Sequence, residues 1–304
     1  MKKKQAKLIA VLGPTSSGKS SLAVELAKRF NGEIISADSR QVYKGMDIGT
    51  GKITKKEMRR IPHYLLDVAS PRTQFSVAQY RQRALKAIDR IYHKKKIPIL
   101  CGGTGFYIQA VVDGLNIPRV APDWKLRKEL EKKSAEDLFK HLKKLDPHRA
   151  KNIDAKNKRR SIRALEIIIK TGKPVPLVKF NQQFETLFIG IKKDIPELKD
   201  LIKNRLLRRL KQGMLDEIRN LRKAGISWKR LDDFGLEYRY IAKHLKGELN
   251  KEKTISELQK EIEHYAKRQM TWFKRDKRIY WIKNYQEAEK LVRDFLEKKK
   301  GITG

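Results

Sequence analysis

Cysteine is almost absent from this chain, whose 304 residues include only one, Cys101. A single thiol excludes an internal disulfide and any cysteine-based metal site, and this usage suits a reducing cytoplasm. The six histidines are scattered, with no pair at the spacing of metal ligands, so the sequence predicts no transition-metal centre. We expect Cys101 to be a small buried side chain at the end of a strand.

Long apolar runs are also missing. No stretch approaches the roughly 20 residues that a membrane-spanning helix needs. The basic residues at 2–4 resemble the start of a secretion signal, but the apolar stretch behind them is short and leads straight into another motif. We therefore expect a soluble, cytoplasmic protein with no membrane partner.

Acidic residues are scarce relative to basic ones. Lysine and arginine number 72 and the acids 35, which gives a formal net charge of +37. Heat-adapted proteins contain more acidic and more basic residues together, whereas only the basic residues are in excess here. The alternative for part of the excess is a lysine-rich codon bias, which needs no function. A positive field of this strength attracts polyanions, so nucleic acid is the favoured partner.

The most informative segment that is present follows the pattern G-x-x-x-x-G-K-[ST]. An apolar run, Leu8–Leu12, precedes it and a helix-like pattern, Ser20–Phe30, follows it. Glycines in this context let backbone N–H groups surround an anion at the positive end of a helix, a lysine adds a point charge, and a serine hydroxyl ligates Mg²⁺. The alternative is a chance match in a turn rich in glycine and serine, and the flanks favour a di- or triphosphate site. The segment consists of Gly13, Pro14, Thr15, Ser16, Ser17, Gly18, Lys19 and Ser20.

Short apolar runs alternate with helical patterns over the first hundred residues, which is typical of βαβ units around a parallel sheet. One predicted helix begins after Ser76, where Val77, Tyr80, Ala84, Ala87 and Ile91 recur on one face. The predicted strands are Leu8–Leu12, Glu33–Ser36, Tyr64–Val68, Ile97–Cys101, Leu187–Ile191 and Arg278–Ile282.

The segment 119–180 interrupts this alternation. Its pattern predicts short helices that are broken at Asp146-Pro147 and end at Gly172. Its basic residues outnumber its acidic residues by more than two to one. The sequence thus predicts an α/β fold with a P-loop NTPase-like parallel sheet core, an inserted all-helical domain and a helical C-terminal part. We divide it into 1–118, the first part of the core, 119–180, the insertion, and 181–304, the second part.

Asp38 follows the second predicted strand directly. Since the carboxyl ends of parallel strands line the ligand crevice, we expect this carboxylate near the phosphate loop, as a general base or as a ligand of Mg²⁺ through water. The alternative is a cap for the segment that follows.

The fourth predicted strand ends in Cys101-Gly102-Gly103-Thr104-Gly105, where an ordinary P-loop ATPase places an aspartate. These glycines permit close approach to a ligand and Thr104 offers a hydroxyl there, although a purely structural turn uses glycines as well. The missing acid argues against nucleotide hydrolysis.

Two basic clusters have two interpretations each. Lys158–Arg160 with Arg163 opens a predicted helix, where positive charges oppose the helix dipole and a bound phosphate backbone would relieve the clash; a solvated helix face is the alternative. The segment Lys267–Arg275 alternates basic residues with aromatic ones. The aromatic side chains could stack on unpaired nucleobases of RNA. Its Trp272 and Phe273 could equally be core residues of an amphipathic helix.

At this point the chain resembles a known family, the bacterial tRNA dimethylallyltransferases, over nearly its whole length. The phosphate loop alone occurs in many families, whereas the combination with Asp38–Thr50 and Ala266–Phe273 is highly specific. The matching segments are 13–20, Asp38–Thr50, Pro62-His63, Gly102–Tyr107, Arg163–Glu166 and Ala266–Phe273.

The resemblance implies an enzyme that transfers the prenyl group of dimethylallyl diphosphate to N6 of adenosine 37 in tRNA. The loop, with Lys19, Ser20 and Mg²⁺, would hold the diphosphate; Asp38 would be the general base, and Thr104 would contact the reacting centre. Asp38, Ser39, Arg40 and Gln41 would contact the target base. The residues that would meet the anticodon arm are Arg127, Arg159, Arg160, Ser161, Ile162, Arg163, Lys267, Arg268, Gln269, Met270, Thr271, Trp272, Phe273 and Lys274. We expect a monomer.

One position departs from the family pattern. Many members carry an arginine three residues before the glycine of a Gly-Tyr or Gly-Phe pair, in a loop near the diphosphate, and here Asp232 stands three residues before Gly235. Arg230 and Arg239 are the alternatives that the sequence offers for this cation, and it does not decide between them. Two other functions stay open: a kinase or prenyltransferase acting on free nucleotides, and a non-catalytic RNA-binding protein.

Overall fold

Six apolar segments of the chain form one parallel sheet. A computed structural model describes residues 6–118, 120–177 and 180–297. The strand order is β3-β2-β4-β1-β5-β6, with β1 between β4 and β5. This confirms the predicted α/β class with a parallel core. The strands are β1 Ala6–Leu12, β2 Gly32–Ser36, β3 His63–Tyr64, β4 Ile97–Gly102, β5 Phe184–Ile191 and β6 Ile279–Ile282.

Five of the six predicted strands are confirmed, with ends that move by one to three residues. The third, predicted over Tyr64–Val68, is wrong beyond its first residue, because β3 ends at Tyr64. Leu65 and Asp67 have φ angles of +66° and +55°, in the left-handed region that an extended strand excludes. The apolar pattern there belongs to a turn whose side chains are partly buried.

The described residues also form fourteen helices. The predicted helix after Ser76 is confirmed, and its start is fixed by a capping box between Ser76 and Gln79. The helices are α1 Lys19–Arg29, α2 Lys55–Met58, α3 Val77–His93, α4 Gly105–Val112, α5 Trp124–Glu131, α6 Ala135–Leu145, α7 Pro147–Lys151, α8 Lys158–Thr171, α9 Ile195–Lys211, α10 Met214–Lys223, α11 Trp228–Phe234, α12 Leu236–Leu245, α13 Lys251–Phe273 and α14 Tyr285–Glu297.

Helices cover both faces of the sheet because successive residues of the central strand point to opposite sides. Leu8 and Ala10 of β1 face a cluster that includes α3 and α4. Ile9 and Val11 face the other cluster, which includes α1 and α14. A third cluster joins helices α9–α13 to Val42, Tyr43 and Met46, in the segment that follows β2. This third cluster holds the helical C-terminal part beside the carboxyl end of the strand that precedes Asp38.

The described chain divides into two compact units. The larger is formed by the residues up to Gly114 and from Gln182 onward, and the smaller is Leu115–Asn181. The smaller unit consists of α5–α8 around its own apolar cluster, which includes Leu138, Leu142 and Leu165. No helix within the described ranges combines the length and apolar character that would let it cross a membrane.

Candidate active site

The predicted phosphate loop lies between β1 and α1, at the centre of the sheet. Gly18 has a φ of +87° and precedes the first helical residue, Lys19. A Cβ on Gly13 would come close to Ser17 Oγ and to the carbonyl oxygen of Ile191, so this turn needs a glycine. Ser17 is buried, and its hydroxyl meets no hydrogen-bond partner among the described residues. These features are those of a loop that wraps an anion with its backbone.

Lys19 is the charged residue of this loop, and its ammonium group donates to the carbonyl oxygen of Pro14 at 3.1 Å. Its pKa is lowered from 10.5 to about 8, chiefly by burial and in part by the guanidinium groups of Arg205 and Arg209, while Cys101 and Asp38 act in the opposite direction. A desolvated ammonium next to other cations is stabilised by a bound anion.

Asp38 stands two residues beyond the end of β2. Its Oδ1 accepts hydrogen bonds from the backbone N–H groups of Arg40, at 2.8 Å, and Gln41, at 3.3 Å. The carboxylate therefore caps a turn rather than a helix, because the next helix begins only at Lys55. Oδ2 receives no hydrogen bond from a described residue, which leaves one oxygen of the carboxylate available to a ligand.

The glycines after β4 let two strand ends approach each other. A Cβ on Gly102 would overlap the carbonyl group of Ala37, which precedes Asp38. The backbone N–H of Thr104 donates to that same carbonyl oxygen, and Thr104 Oγ1 accepts from the N–H of Ser39 at 3.1 Å. The turn is thus structural, and it also holds the Thr104 hydroxyl next to the segment that carries Asp38.

Gln269 of α13 joins the phosphate loop to this turn. Its Oε1 accepts from the N–H of Thr15 at 2.8 Å, and its Nε2 donates to the carbonyl oxygen of Gly103 at 2.9 Å. A Cβ on Gly103 would overlap Nε2, so the glycine makes room for the side-chain amide. Gln269 is buried, and both of its contacts lie inside the larger unit.

These residues surround a cavity of about 690 Å³ in the larger unit. Thr104 stands beside the lining, one hydrogen bond behind Ser39. Sequence reasoning missed the arginines of α9, although their spacing of three and four residues places them on one helix face. The lining includes Thr15, Ser16, Gly18, Lys19, Ser20, Asp38, Ser39, Arg40, Gln41, Arg205, Arg208, Arg209, Tyr238 and Gln269.

Cys101 lies at the end of β4 and is buried, as the sequence predicts. Burial raises the pKa of its thiol to about 11, and Sγ lies 3.5 Å from the carbonyl oxygen of Lys19. No acid stands at this strand end, next to β1. Among the described residues, no group of three or more histidines, cysteines, aspartates and glutamates is arranged to hold a metal ion.

A sequence model with the description IPP transferase matches residues 41–276 of the chain. The chain belongs to the IPP transferase family. The tRNA dimethylallyltransferase of Thermoanaerobacter sp. (strain X514) is 40% identical over 305 residues, which cover 95% of this chain and 97% of that protein.

Solved structures of the IPP transferase family agree with this assignment. The tRNA isopentenylpyrophosphate transferase of Bacillus halodurans is 36% identical, with a TM-score of 0.71 and 96% of both chains covered. A eukaryotic dimethylallyltransferase, described as acting on tRNA, is 27% identical, with a TM-score of 0.83 and with 96% of this chain and 79% of that chain covered. The P-loop core of the IPP transferases is therefore the fold of the larger unit.

The segment Lys267–Lys274, for which the family resemblance implies tRNA contacts, is divided by the structure into two faces. Gln269 and Phe273 are buried, and Met270 is half-buried. Trp272 is 37% exposed, and its indole lies against Gly105 at the start of α4. The exposed residues are Lys267, Arg268, Thr271, Trp272 and Lys274.

The candidate residues of the smaller unit are divided in the same way. Ser161 and Ile162 are buried in its core, whereas Arg159 and Arg160 are exposed. The side chains of Arg127 and Arg163 both pair with the buried carboxylate of Glu166, and Arg127 donates to both of its oxygens at 2.8 Å. These ion pairs hold the pKa of Glu166 below its usual value despite its burial. Arg127 and Arg163 thus have a partner within the unit.

Proposed function

We propose that this protein transfers the dimethylallyl group of dimethylallyl diphosphate to N6 of adenosine 37 in tRNA, which yields N6-isopentenyladenosine and diphosphate. The observation that carries the proposal is the arrangement of one cavity. A phosphate loop lines it on one side, and a carboxylate with an unbonded oxygen, Asp38, lines it as well. Since the strand-end acid of a nucleotide hydrolase is missing, the loop is better suited to holding a leaving group than to hydrolysing a nucleotide.

The chemistry is a substitution at the first carbon of the prenyl group. The bond from N6 to this carbon forms as the bond from carbon to the diphosphate oxygen breaks, and Oδ2 of Asp38 accepts the proton of N6. The loop N–H groups and Lys19 stabilise the negative charge of the departing diphosphate. Thr104 positions the segment Ser39–Gln41, which contacts the adenine. The target base has to leave its stack to enter the cavity, as other base-modifying enzymes require.

Mg²⁺ fits this site as an ion shared with the substrate. Ser20 and Asp38 both line the cavity and offer oxygen atoms, and no group of three or more acidic, histidine or cysteine side chains in the described chain is arranged to hold a metal by itself. Magnesium ions bound through one or two protein oxygens, with phosphate and water as the other ligands, are common. When bound, the ion would neutralise part of the diphosphate charge.

The acceptor is a large polyanion, and the charge of the chain suits it. We propose that the exposed residues Lys267, Arg268 and Lys274 in one unit, and Arg159 and Arg160 in the other, contact the phosphates of the anticodon arm. Arg127, Ser161, Ile162, Arg163 and Phe273 would support the exposed residues of their own unit, because their side chains are wholly or partly buried. We further propose a cytoplasmic monomer.

A single incubation tests the proposal. The protein is mixed with dimethylallyl diphosphate, Mg²⁺ and an anticodon stem-loop carrying adenosine 37, and the nucleosides are analysed by mass. We expect N6-isopentenyladenosine from the stem-loop and far less transfer to free AMP. Equal efficiency with AMP would favour a small-molecule prenyltransferase, and no transfer from any prenyl donor would favour a non-catalytic RNA-binding protein.

Asp38→Asn sharpens the test, because an asparagine oxygen still accepts the N–H groups of Arg40 and Gln41 but is not a base at neutral pH. We expect its turnover to fall by about 10²- to 10⁴-fold, with stem-loop affinity unchanged within about twofold. Asp38→Ala, which also loses the turn, should lose at least as much. Wild-type turnover in Asp38→Asn would rule out Asp38 as the base.

A further inference from the structure

We infer that the hydroxyl group of Tyr265, on α13, donates a hydrogen bond to a ring nitrogen of the target adenine, beside the amino group that reacts. The inference rests on the proposed function, since it assumes that an adenine enters the cavity. Tyr265 stands just outside the segments that carry the family resemblance, and its place in the structure is what distinguishes it.

Tyr265 lies on the wall of the cavity that contains the phosphate loop and Asp38. It stands one helical turn before Gln269 on α13, so the two side chains share one face of the helix. Gln269 is fixed by its hydrogen bonds to Thr15, at 2.8 Å, and to Gly103, at 2.9 Å. The helix face that carries Tyr265 is therefore anchored at the cavity.

The hydroxyl of Tyr265 has no hydrogen-bond partner within residues 6–118, 120–177 and 180–297, and the side chain is only partly buried. The fully buried tyrosines differ from it, because each of them hydrogen-bonds to another group of the described chain. A phenol on a cavity wall without such a partner has its hydroxyl available to a molecule that fills the cavity. The buried tyrosines are Tyr43, Tyr80, Tyr107 and Tyr238.

The surroundings of Tyr265 make it a hydrogen-bond donor. Burial raises the pKa of its phenol, and the carboxylate of Asp38 is the charged group that raises this pKa most, while Arg40 and Arg268 act in the opposite direction. The hydroxyl therefore keeps its proton at neutral pH, so Tyr265 is not a base. A protonated phenol beside a carboxylate gives this part of the cavity one donor and one acceptor.

Adenine offers the complementary pair of groups. Its N6 carries the hydrogens, one of which Oδ2 of Asp38 would accept, and the ring nitrogens N1 and N7 on either side of N6 are acceptors. N1 lies on the Watson–Crick edge, which is the edge that enzymes read on a base that has left its stack. With Asp38 on N6 and Tyr265 on a neighbouring nitrogen, the ring can no longer turn in its plane, and N6 stays directed at the prenyl carbon.

The test combines Tyr265→Phe with analogues of the target adenosine in the stem-loop. The variant keeps the ring and loses only the hydroxyl, whereas 1-deazaadenosine and 7-deazaadenosine each replace one ring nitrogen by carbon. With adenosine at position 37, we expect Tyr265→Phe to lower the single-turnover rate of prenylation by about 5- to 50-fold, because a ring nitrogen is left unpaired.

One analogue should remove the effect of the substitution. If the hydroxyl donates to N1, the wild type and Tyr265→Phe should prenylate the 1-deazaadenosine stem-loop at rates that agree within about twofold; a bond to N7 predicts the same for 7-deazaadenosine. Either result supports the inference and identifies the nitrogen. An undiminished effect of Tyr265→Phe with both analogues, or no effect with adenosine, would overturn it. If thermal melting shows that Tyr265→Phe does not fold, Tyr265→Leu replaces it in the same comparison.

Two other tyrosines serve as controls. Tyr280 is 57% exposed on β6, and Tyr280→Phe should react as the wild type does. Tyr240 also lines the cavity, but the carboxylates that act on its phenol are those of Glu261 and Glu257. An effect that depends on the analogue in Tyr240→Phe, and not in Tyr265→Phe, would overturn the inference. So would a loss of affinity for inorganic diphosphate in Tyr265→Phe as large as its loss of rate, because the hydroxyl would then contact the leaving group.

Stem-loop affinity separates the inference from the proposed function, since it requires no prenyl transfer. In the presence of inorganic diphosphate, we expect Tyr265→Phe to weaken binding of the adenosine stem-loop by about 2- to 10-fold and to leave binding of one deaza analogue unchanged. A wild type that shows this pattern and transfers no prenyl group would support the contact of Tyr265 and contradict the proposed function. Prenylation by the wild type, with the same effect of Tyr265→Phe on adenosine and on both analogues, would do the reverse.

Discussion

At the scale of single residues, the site consists of charges held away from water. Lys19 is the clearest case, because desolvation places its pKa at about 8, below the 10.5 of a free lysine. Keeping it protonated at pH 7 costs the empty protein about 3 kcal/mol. The diphosphate proposed to bind here would remove this cost by pairing with the ammonium group.

From this lowered pKa we predict two effects of rising pH: the affinity for diphosphate falls, and the stability of the empty protein rises. Above about pH 8, Lys19 loses its proton in the empty protein, so the affinity for diphosphate should fall as the pH rises from 7 to 9. Over about pH 8 to 10.5, the unfolded chain binds more protons at this residue than the folded one, so its contribution to the stability of the empty protein should rise. Calorimetry and thermal melts over this range measure the two.

Lys19→Arg is the control for the pH effects, because an arginine keeps its charge over this range and the ionisation of diphosphate itself is the same for both proteins. The groups that face Lys19 are Cys101, Asp38, Arg205 and Arg209. An affinity that falls equally in Lys19→Arg and in the wild type would assign the pH dependence to the ligand.

Residues near one another in the sequence could be predicted, and distant partners could not. The loop pattern and the position of Asp38 after a strand follow from local spacing, and the loop and Asp38 both line the cavity, as the sequence predicts. Arg205 donates to Oγ1 of Thr15, 190 residues away, and in the sequence α9 looks like a charged, solvated helix. Which of its arginines turns inward depends on Gly51, where a Cβ would overlap the guanidiniums of Arg205 and Arg209, and on the packing of α9 against α13. No local pattern encodes either.

At the scale of elements, α13 serves different purposes on its two faces. Its exposed residues carry the positive charge proposed to meet RNA, and its buried face places Gln269 between the phosphate loop and the turn before α4. The family resemblance implies a tRNA contact for every residue of Lys267–Lys274, but eight consecutive residues of a helix include both its exposed and its buried face. We predict that Gln269 aligns the two loops and makes no tRNA contact.

Gln269→Ala removes both hydrogen bonds between the loops. We expect kcat to fall by about 10- to 100-fold because the donor and Asp38 lose their alignment, while stem-loop affinity stays within about twofold. Gln259→Ala is a matched control, since Gln259 lies on the same helix and its side chain, among the described residues, bonds to Glu263 alone. Single-turnover rates and stem-loop binding measure the two effects, and a loss of affinity as large as the loss of rate would indicate an RNA contact instead.

At the scale of the whole molecule, the net charge of +37 favours association with any polyanion, and specific phosphate contacts are a small part of it. The exposed arginines at the start of α8, Arg159 and Arg160, are candidates for such contacts. If each meets one phosphate, replacing both by alanine should weaken stem-loop binding and lower the slope of log K against log salt by about 2.

Lys143→Ala with Lys144→Ala is the matched control for this pair. Both lysines are exposed in the same unit, on α6, so the double variant removes the same charge elsewhere. We expect a smaller change of slope for this variant, measured by stem-loop binding between about 50 and 200 mM salt. Equal slopes in the two double variants would show that only the total charge matters and that Arg159 and Arg160 form a solvated face.

The order of the sheet has a consequence for the growing chain. The phosphate loop is synthesised before β5, the neighbour of β1, and the loop obtains Arg205 and Gln269 only from segments made later still. Domains generally fold as units as their segments become available during synthesis. A chain halted before Arg205 therefore possesses the loop without these two side chains, and we expect the proposed capacity to bind a leaving group to arise only after α9 and α13 have been made.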